Sequence, residues 1–446
     1  MIGLTGTRVI IVDDDEEEAL PILKAFSEKG IPVVFFNGNV RELPQKNDRL
    51  SGVRLAILDM DLFGGGATDK SKAAGLVKRL ERILSPGNGP YGVLAWTNHP
   101  EMLNDFETYL FADQSIPNPI FTIMLQKAEC KNKRGKLDLR IISLKLNDAL
   151  NQFSPLLFMQ AWEGKCFQAA TDVTNALSVL ATDDAADLKK WREIWKSNFL
   201  QLMCAMAKAE AGKNLDANLC IISLYDSLNP LHADRMESNT PKLSNYFSDK
   251  SAEILSVSAD CGIERRARVN TMLHLAFENL EHFTAGNLYT FPSKKKPKWI
   301  PDKHQLLEDL IQKAKTPEQT TDKINDVSNV SIPVVIEASA TCDHAQKNIH
   351  IARFIFGLIV PVSERKKLNV KAGFIWEFGP LFLEKRVATA GNYYIYFSAR
   401  HLVTLDLKQA TGLKAFARLR GQSFVGLQAW FAHHAARPGI MLLGEE

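Results

Sequence analysis

The chain has 446 residues, a length that suggests about two to four domains rather than one. Apolar residues make up 46% and charged residues 24%, which is typical of globular proteins and excludes a largely disordered chain. The net charge of +3 is small against 54 basic and 51 acidic side chains, so no overall field attracts nucleic acid or an anionic membrane.

No apolar run reaches the roughly 18 residues that a membrane-spanning helix needs. Residues 1–7 also lack the basic and then apolar pattern of a secretion signal, so we expect a cytoplasmic protein. Six cysteines are scattered without a C-x-x-C pair: Cys130, Cys166, Cys204, Cys220, Cys261 and Cys342. We interpret the first five as reduced, buried thiols rather than a disulfide framework or a closed zinc site.

Short apolar runs alternate with amphipathic stretches in the first part of the chain. The runs are 8–12, 32–36, 54–58, 91–96 and 119–125. Continuous apolar runs separated by helical periods indicate a parallel sheet that is buried on both faces. The pattern predicts an α/β domain with a five-stranded parallel sheet.

The middle of the chain has long helical periods, which predict an all-α domain. The clearest periods are 156–180, 188–211 and 267–280. Trp191 and Trp195 share a helix face at i, i+4, and with Trp162 they favour a helical core over a cofactor site. We interpret the basic segment 127–136 as a solvated linker rather than a nucleic-acid site.

The last part of the chain has strand-like runs, which predict a small β-rich domain. The runs are 287–291, 332–337, 352–360, 374–378 and 393–397. Residues 293–330 are polar, and we expect a mobile insertion there. Residues 423–436 read as a helix that packs on the sheet. The predicted domains are therefore 1–130, 139–283 and 286–446.

Acidic residues follow two of the strands predicted in the first domain. Asp13, Asp14 and Asp15 stand at the end of the first strand, and Asp59 stands at the end of the third. In a doubly wound sheet these strand ends face one crevice, where ligands bind. Crowded carboxylates repel each other unless a cation lies among them, and oxygen ligands suit Mg²⁺.

A hydroxyl and an ammonium are expected at the same crevice. Thr97 ends the fourth strand and Lys127 ends the fifth. They can hold the oxygens of a phosphoryl group while a cation neutralises its charge. The pattern therefore predicts a site for phosphoryl chemistry.

Residues 8 to about 130 resemble a response-regulator receiver domain of two-component systems. The matching motifs are Val12-Asp13-Asp14-Asp15, Ile57-Leu58-Asp59-Met60-Asp61, Trp96-Thr97 and Gln126-Lys127. The resemblance implies that Asp13, Asp14 and Asp59 bind Mg²⁺ together with the backbone carbonyl of Asp61. It also implies that Asp59 is phosphorylated by a partner histidine kinase, that Thr97 binds the phosphoryl group and that Lys127 pairs with it.

The chain departs from the receiver pattern at several positions. The family usually has a small residue after the threonine and a proline after the lysine, where this chain has Asn98 and Ala128. Met124 replaces the common aromatic switch residue, which puts the usual signal relay in doubt. The loop 62–66 is longer and richer in glycine than the family's turn.

A second candidate site follows the predicted strand at 332–337. Cys342, Asp343 and His344 lie together there. As a metal site, Cys342 and His344 would act with His350; as a nucleophile, Cys342 would need His344 or His401 as a base. As structure, Asp343 would cap a turn and Cys342 would fill the core. We favour the structural interpretation, and the other two stay open.

The segment 286–441 resembles a poorly described domain of bacterial conflict-system proteins that contains a Cys-Asp-x-x-Gln motif. Together with the receiver-like and helical parts, it gives an architecture similar to the receiver-bearing accessory, or buffer, protein of Detocs-type anti-phage two-component systems. This resemblance implies a phosphoryl sink or signal relay that shares its kinase with a second receiver-bearing effector.

Two other functions compete with this interpretation. One is an effector whose receiver controls a catalytic or metal-binding domain centred on Cys342. The other is a response regulator that binds nucleic acid, which ranks lower because the tail has no compact helix-turn-helix with a basic recognition helix. Beyond the receiver's own phosphorylation and dephosphorylation chemistry, no complete catalytic set is visible in the sequence.

Overall fold

The computed structural model describes residues 8–28, 30–62, 68–133, 137–151, 154–182, 184, 187–211, 220–237, 260–278, 280, 283–291, 298–311, 313–345, 349–370, 372–384, 387, 389–410 and 413–435. Two compact units contain them. The first lies within 1–175 and 232–252, and the second within 176–231 and 253–446. The domain boundaries drawn from the sequence stay predictions.

The first unit contains a five-stranded parallel sheet. Its strands are β1 (Val9–Val12), β2 (Val33–Phe36), β3 (Leu55–Asp59), β4 (Gly92–Thr97) and β5 (Phe121–Gln126). The strand order is β2-β1-β3-β4-β5, the flavodoxin-type order, so the predicted α/β fold is confirmed. The carboxyl ends of all five strands meet at one edge, where the order reverses between β1 and β3.

Helices cover both faces of this sheet, and its central strands are therefore buried on both sides. The helices are α1 (Glu16–Ser27), α2 (Asp69–Ile83), α3 (Met102–Ala112) and α4 (Leu139–Asn151). Leu76, Leu80 and Phe106 pack on one face, whereas Ile22 and Ile142 pack on the other. The sheet edge is therefore held between two packed layers.

The segment that we interpreted as a solvated linker belongs partly to the first unit. Lys127–Cys130 forms a 3₁₀ turn in which Lys127 and Cys130 are buried. The carbonyl of Cys130 then accepts the N–H of Asp138 at 2.8 Å, just before α4. The linker interpretation is wrong for this turn because Lys127 and the thiol of Cys130 are both buried in it.

The middle of the chain is helical, as predicted. It contains α5 (Ser154–Leu180), α6 (Leu188–Ala211) and α7 (220–237). The rings of Trp191 and Trp195 stack with centroids 6.4 Å apart, in agreement with their spacing. Trp162 is 50% exposed, so it is not a core residue among the described residues. Of the five cysteines expected to be buried, Cys130 is buried, whereas Cys166 and Cys220 are half-buried and Cys204 and Cys261 are exposed, so the expectation is confirmed for Cys130 alone.

The second unit contains a seven-stranded sheet with antiparallel pairing, which confirms the predicted β-rich part. Its strands are β6 (Leu275–Ala276), β7 (Asn287–Thr290), β8 (Ile332–Glu337), β9 (Ile351–Pro361), β10 (Ile375–Leu383), β11 (Gly391–Asp406) and β12 (Ala415–Leu419). The order is β10-β11-β9-β8-β7-β12-β6. A register shift between Phe397 and Leu402 lets the long β11 bend, so the sheet curls.

Helices lie against this sheet on both sides. They are α8 (Ile263–His274), α9 (Lys303–Leu310), α10 (Pro317–Val330), α11 (Thr341–Ala345), α12 (Leu407–Ala410) and α13 (Gly421–Ala435). Phe424 and Leu427 of α13 pack with Ile355 and Ile359 of β9, which confirms the predicted terminal helix. The predicted helix over 267–280 instead ends at His274 because β6 pairs with β12.

The expected mobile insertion is wrong for residues 303–330. That segment forms α9 and α10, and Leu306, Leu307 and Leu310 are fully buried. They pack with Phe354 and Phe356 on the opposite face of β9 from α13. Residues 292–297 lie outside the described residues. No helix in the described part of the chain is long and apolar enough to span a bilayer.

Candidate functional site

Three carboxylates meet at the carboxyl edge of the parallel sheet. Asp13 and Asp14 follow β1, and Asp59 is the last residue of β3. One carboxylate oxygen of each lies within 4.8 Å of the others. Asp13 and Asp59 are buried, whereas Asp14 is exposed. The structure therefore brings together the three side chains that the strand-end pattern singled out.

Backbone amides fix the two buried carboxylates. The N–H of Asp15 donates to Asp13 Oδ1 at 2.9 Å, and the N–H of Asp61 donates to Asp59 Oδ1 at 3.1 Å. Asp15 is itself the N-cap of α1, where its side chain accepts the N–H groups of Glu17 and Glu18. The capped helix start thus turns the chain so that Asp13 keeps its place at the sheet edge.

The two buried carboxyl groups of the cluster have raised pKa values. Burial, reinforced by the charge of Asp59, raises the pKa of Asp13 to about 7. Burial also raises the pKa of Asp59, although Lys127 opposes that shift. Among the described residues, the buried Oδ2 of Asp13 has no hydrogen-bond partner. A buried oxygen acceptor with no donor, in a group of carboxylates, marks a place where a cation would be stabilised.

The donor set fits Mg²⁺. Asp13, Asp14 and Asp59 offer hard oxygen ligands, and Mg²⁺ uses one or two carboxylates while it keeps several waters. Asp14 and Asp59 border a cavity of about 540 Å³ that Asp61 and Lys127 also line, which leaves room for those waters. Asp13, Asp14 and Asp59 are the side chains that would hold the ion.

Lys127 completes the buried end of the site. Its Nζ lies 3.1 Å from Asp59 Oδ2 and 2.5 Å from Glu18 Oε2. Burial alone would lower the pKa of Lys127, but the hydrogen bond to Glu18 and the charges of Asp59 and Asp13 outweigh it and raise that pKa. The ammonium is therefore charged and held next to the carboxylate expected to react.

Thr97 lies fully buried at the end of β4. Its Oγ1 accepts the N–H of His99 at 2.8 Å, which fixes the side chain without using its own proton. Thr97 pairs with Gln126 in the sheet, directly before Lys127. The hydroxyl and the ammonium thus stand on neighbouring strand ends, as the sequence pattern predicts.

Asn98 and Ala128, the two residues that differ from the receiver pattern, contact each other. Asn98 Oδ1 accepts the N–H of Ala128 at 3.0 Å, which joins the loop after β4 to the turn after β5. A proline at position 128 has no N–H and could not make this bond. The side chain of Asn98 therefore uses a backbone N–H that exists only because residue 128 is not proline. Neither position alone reveals this relationship.

Three further residues at this edge were not singled out in the sequence. Glu18 binds Lys127, while Lys72 forms an ion pair with the carboxylate of Asp61. His99 Nε2 lies 3.8 Å from Asp61 Oδ2. Glu18 stands in the first turn of α1, but nothing in its local sequence predicts a pairing with the end of β5.

The second candidate site contains a buried pair that the sequence did not predict. His344 Nε2 lies 2.9 Å from Oε2 of Glu337, and both side chains are buried. Glu337 also accepts the backbone N–H groups of Ser339 and Arg353. Asp343 lies beside His344 in α11, but the side chain of Cys342 is outside the described residues. The catalytic, metal and structural interpretations of Cys342 therefore stay predictions.

Comparison with known proteins adds no relative. No family model matches this chain, and no curated protein matches it. The class of the first unit therefore follows from its geometry: a flavodoxin-type parallel sheet with an acidic, cation-compatible pocket at its carboxyl edge.

Proposed function

We propose that the first unit is a receiver domain and that Asp59 takes a phosphoryl group from a partner histidine kinase in the cytoplasm. The observation that carries this proposal is the 3.1 Å contact between Lys127 Nζ and Asp59 Oδ2, beside the carboxylates of Asp13 and Asp14. A carboxylate that faces both an ammonium and a cation-compatible cluster is arranged to receive a group with negatively charged oxygens.

The proposed transfer is a nucleophilic displacement at phosphorus. A carboxylate oxygen of Asp59 attacks the phosphorus of the kinase's phosphohistidine, and an O–P bond forms as the P–N bond breaks. The released imidazole nitrogen takes up a proton from solvent. Lys127 and the hydroxyl of Thr97 hold the transferred oxygens, and Mg²⁺, when bound, would neutralise charge on them.

The proposed output is a phosphoryl sink or relay rather than a large change in the chain's own activity. Met124, in β5, stands where an aromatic switch residue is common in receivers. A switch needs contacts that differ between its two states, and the usual contact-making residue is missing. We propose that the protein draws phosphoryl groups from a kinase shared with a second receiver-bearing effector, as in anti-phage defence.

A small phosphodonor such as acetyl phosphate tests the acceptor directly. Incubation with Mg²⁺ should give one acid-labile phosphoryl group on the wild type and none on Asp59→Asn, because an amide does not attack phosphorus. Asp61→Asn is the matched control and should keep the label. Labelling that survives in Asp59→Asn and disappears in Asp61→Asn would move the acceptor to Asp61.

The sink is tested in cells that contain the cognate kinase. Asp59→Asn should release signalling to the other acceptor, whereas Cys342→Ala should matter only if it unfolds the second unit. Should Cys342→Ala leave a stable, normally phosphorylated protein without function, an effector centred on Cys342 would replace the sink.

A further inference from the structure

The second unit has a cavity of about 630 Å³ that no part of the proposed phosphoacceptor function uses. Its wall includes His274, Trp376, Phe378, Gln422 and Ser423. A cavity of this size that combines aromatic side chains with several polar groups is a candidate for a small-molecule site. The cavity, which is open to solvent, therefore offers a place where a small molecule can contact these side chains.

A short strand pair brings the polar residues of this cavity together. Leu275 pairs with Leu419 where β6 meets β12. Because the pair is antiparallel, His274 at the end of α8 lies beside Arg420, whose N–H donates to the His274 carbonyl at 2.8 Å. The chain then enters α13, which places Ser423 in that helix's first turn.

His274 and Ser423 form a direct side-chain contact inside the cavity. His274 Nδ1 lies 2.8 Å from Ser423 Oγ. When the imidazole carries its proton on Nε2, Nδ1 accepts the serine O–H, which is the contact between a nucleophile and its base. The ring of His274 is held edge-on by Phe378, with centroids 5.2 Å apart. Burial lowers the pKa of His274, so the ring is neutral and able to accept a proton at neutral pH.

The start of α13 adds hydrogen-bond donors beside the serine. The N–H of Phe424 binds the carbonyl of Arg420 and begins the helical ladder. The N–H groups of Gly421, Gln422 and Ser423 precede that bond, so no carbonyl within the helix accepts them. Such donors stabilise negative charge that develops on a carbonyl oxygen.

We propose that Ser423 and His274 form a second active site, in which Ser423 is the nucleophile and His274 the base of an acyl transfer from esters with an apolar or aromatic acyl group. The class of substrate follows from Trp376 and Phe378 in the wall. This activity is independent of phosphorylation at Asp59.

The proposed reaction has two steps, acylation of Ser423 and hydrolysis of the acyl-serine. Ser423 Oγ attacks the ester carbonyl carbon and gives its proton to His274 Nδ1, so an Oγ–C bond forms. The tetrahedral intermediate then expels the alcohol oxygen, which takes that proton, and leaves an acyl-serine. In the second step water attacks the acyl carbon, again with His274 as base, and releases a carboxylic acid and free Ser423.

An alkyl fluorophosphonate carrying a fluorescent reporter tests the site. It reacts with an activated serine by forming an Oγ–P bond and releasing fluoride, which an inert, hydrogen-bonded serine does not do. The full-length wild type should be labelled, and peptide mapping should place the label on Ser423. No label on folded wild type, or a label elsewhere, would overturn the proposal.

Variants then assign the roles. Ser423→Ala should remove the label, and His274→Gln should slow labelling and the hydrolysis of 4-nitrophenyl butyrate by roughly 100-fold or more, the range for loss of a general base. Ser363→Ala, at an exposed serine on the same unit, should label normally. Labelling of folded His274→Gln at the wild-type rate would remove the base from the proposal. Asp59→Asn should label normally, which separates this site from the phosphoacceptor.

Discussion

The ammonium of Lys127 lies 3.1 Å from Asp59 Oδ2 although β4 separates the strands that carry them. The contact is possible because Lys127 follows β5 in a buried turn and reaches over the end of β4. Oε2 of Glu18 lies 2.5 Å from the same ammonium. The ammonium of Lys127 is thus shared between Glu18 and the carboxylate of Asp59, the proposed phosphoacceptor.

Replacement of the shared ammonium should slow phosphorylation. We expect Lys127→Met to lower the rate of Asp59 phosphorylation by acetyl phosphate about 10-fold to 1,000-fold, as when one charge-stabilising donor is removed. The label is quantified on phosphate-affinity gels over time. Lys78→Met removes an exposed lysine of α2 and should leave the rate unchanged. Equal rates in wild type and Lys127→Met would contradict the assigned role.

The affinity for Mg²⁺ should increase with pH. Burial and the charge of Asp59 raise the pKa of Asp13 to about 7, so protons compete with Mg²⁺ below that pH. We expect the dissociation constant, measured by calorimetry, to fall between pH 6 and pH 8. In Asp13→Asn the competition should disappear together with most of the affinity. A dissociation constant that is independent of pH in the wild type would show that Asp13 does not bind the ion.

The same carboxyl should affect the pH dependence of stability in the opposite direction. Burial raises the pKa of Asp13 in the folded protein above its ordinary value of 3.8, so the folded protein binds more protons than the unfolded chain between about pH 4 and pH 7. Without Mg²⁺, the free energy of unfolding should therefore fall as pH rises through that window. Asp13→Asn should flatten this fall in urea titrations.

Glu163 should be important for the stability of the first unit. Its carboxylate accepts hydrogen bonds from Arg54 Nε at 3.1 Å and from Arg54 Nη2 at 2.5 Å, and it also pairs with Arg8. Burial and the nearby Arg8 lower the pKa of Arg54, so this guanidinium depends on its carboxylate partner. We expect Glu163→Gln to cost about 2 kcal/mol of unfolding free energy, measured by urea denaturation. Glu193→Gln, at an exposed site on α6, should cost little.

The α9–α10 segment should behave as part of the core. Leu307 is fully buried against the sheet, so Leu307→Ala should destabilise the second unit by about 2–5 kcal/mol through lost contacts and a residual cavity. Val330→Ala, at a 45% exposed position of α10, is the control. Thermal unfolding followed by circular dichroism separates them. Equal midpoints would restore the interpretation of this segment as a loose insertion.

Sequence reasoning succeeded where one local pattern determines the result. Apolar runs marked the strands, and strand ends placed Asp13, Asp59, Thr97 and Lys127 at one edge. It failed for the α9–α10 segment, because the buried face of α9 consists of only a few leucines in a polar stretch, which resembles a loop.

The unpredicted contacts depend on tertiary approach. Glu18 meets Lys127 only because α1 packs beside the end of β5, and Glu337 meets His344 only after α11 folds over β8. The predicted helix over 267–280 is a similar case, since pairing with β12 overrides the helical preference of residues 275–276. Each of these features depends on residues that approach only when the chain folds.

The pairing of β6 with β12 has a consequence for folding. His274 and Ser423 are separated by 149 positions, so their contact closes one of the longest loops in the second unit. Contacts of high sequence separation form late, because the entropy of loop closure must be overcome before they stabilise anything. A nascent or partly folded chain therefore lacks the His274–Ser423 contact, and the cavity is complete only once the unit has reached its native topology.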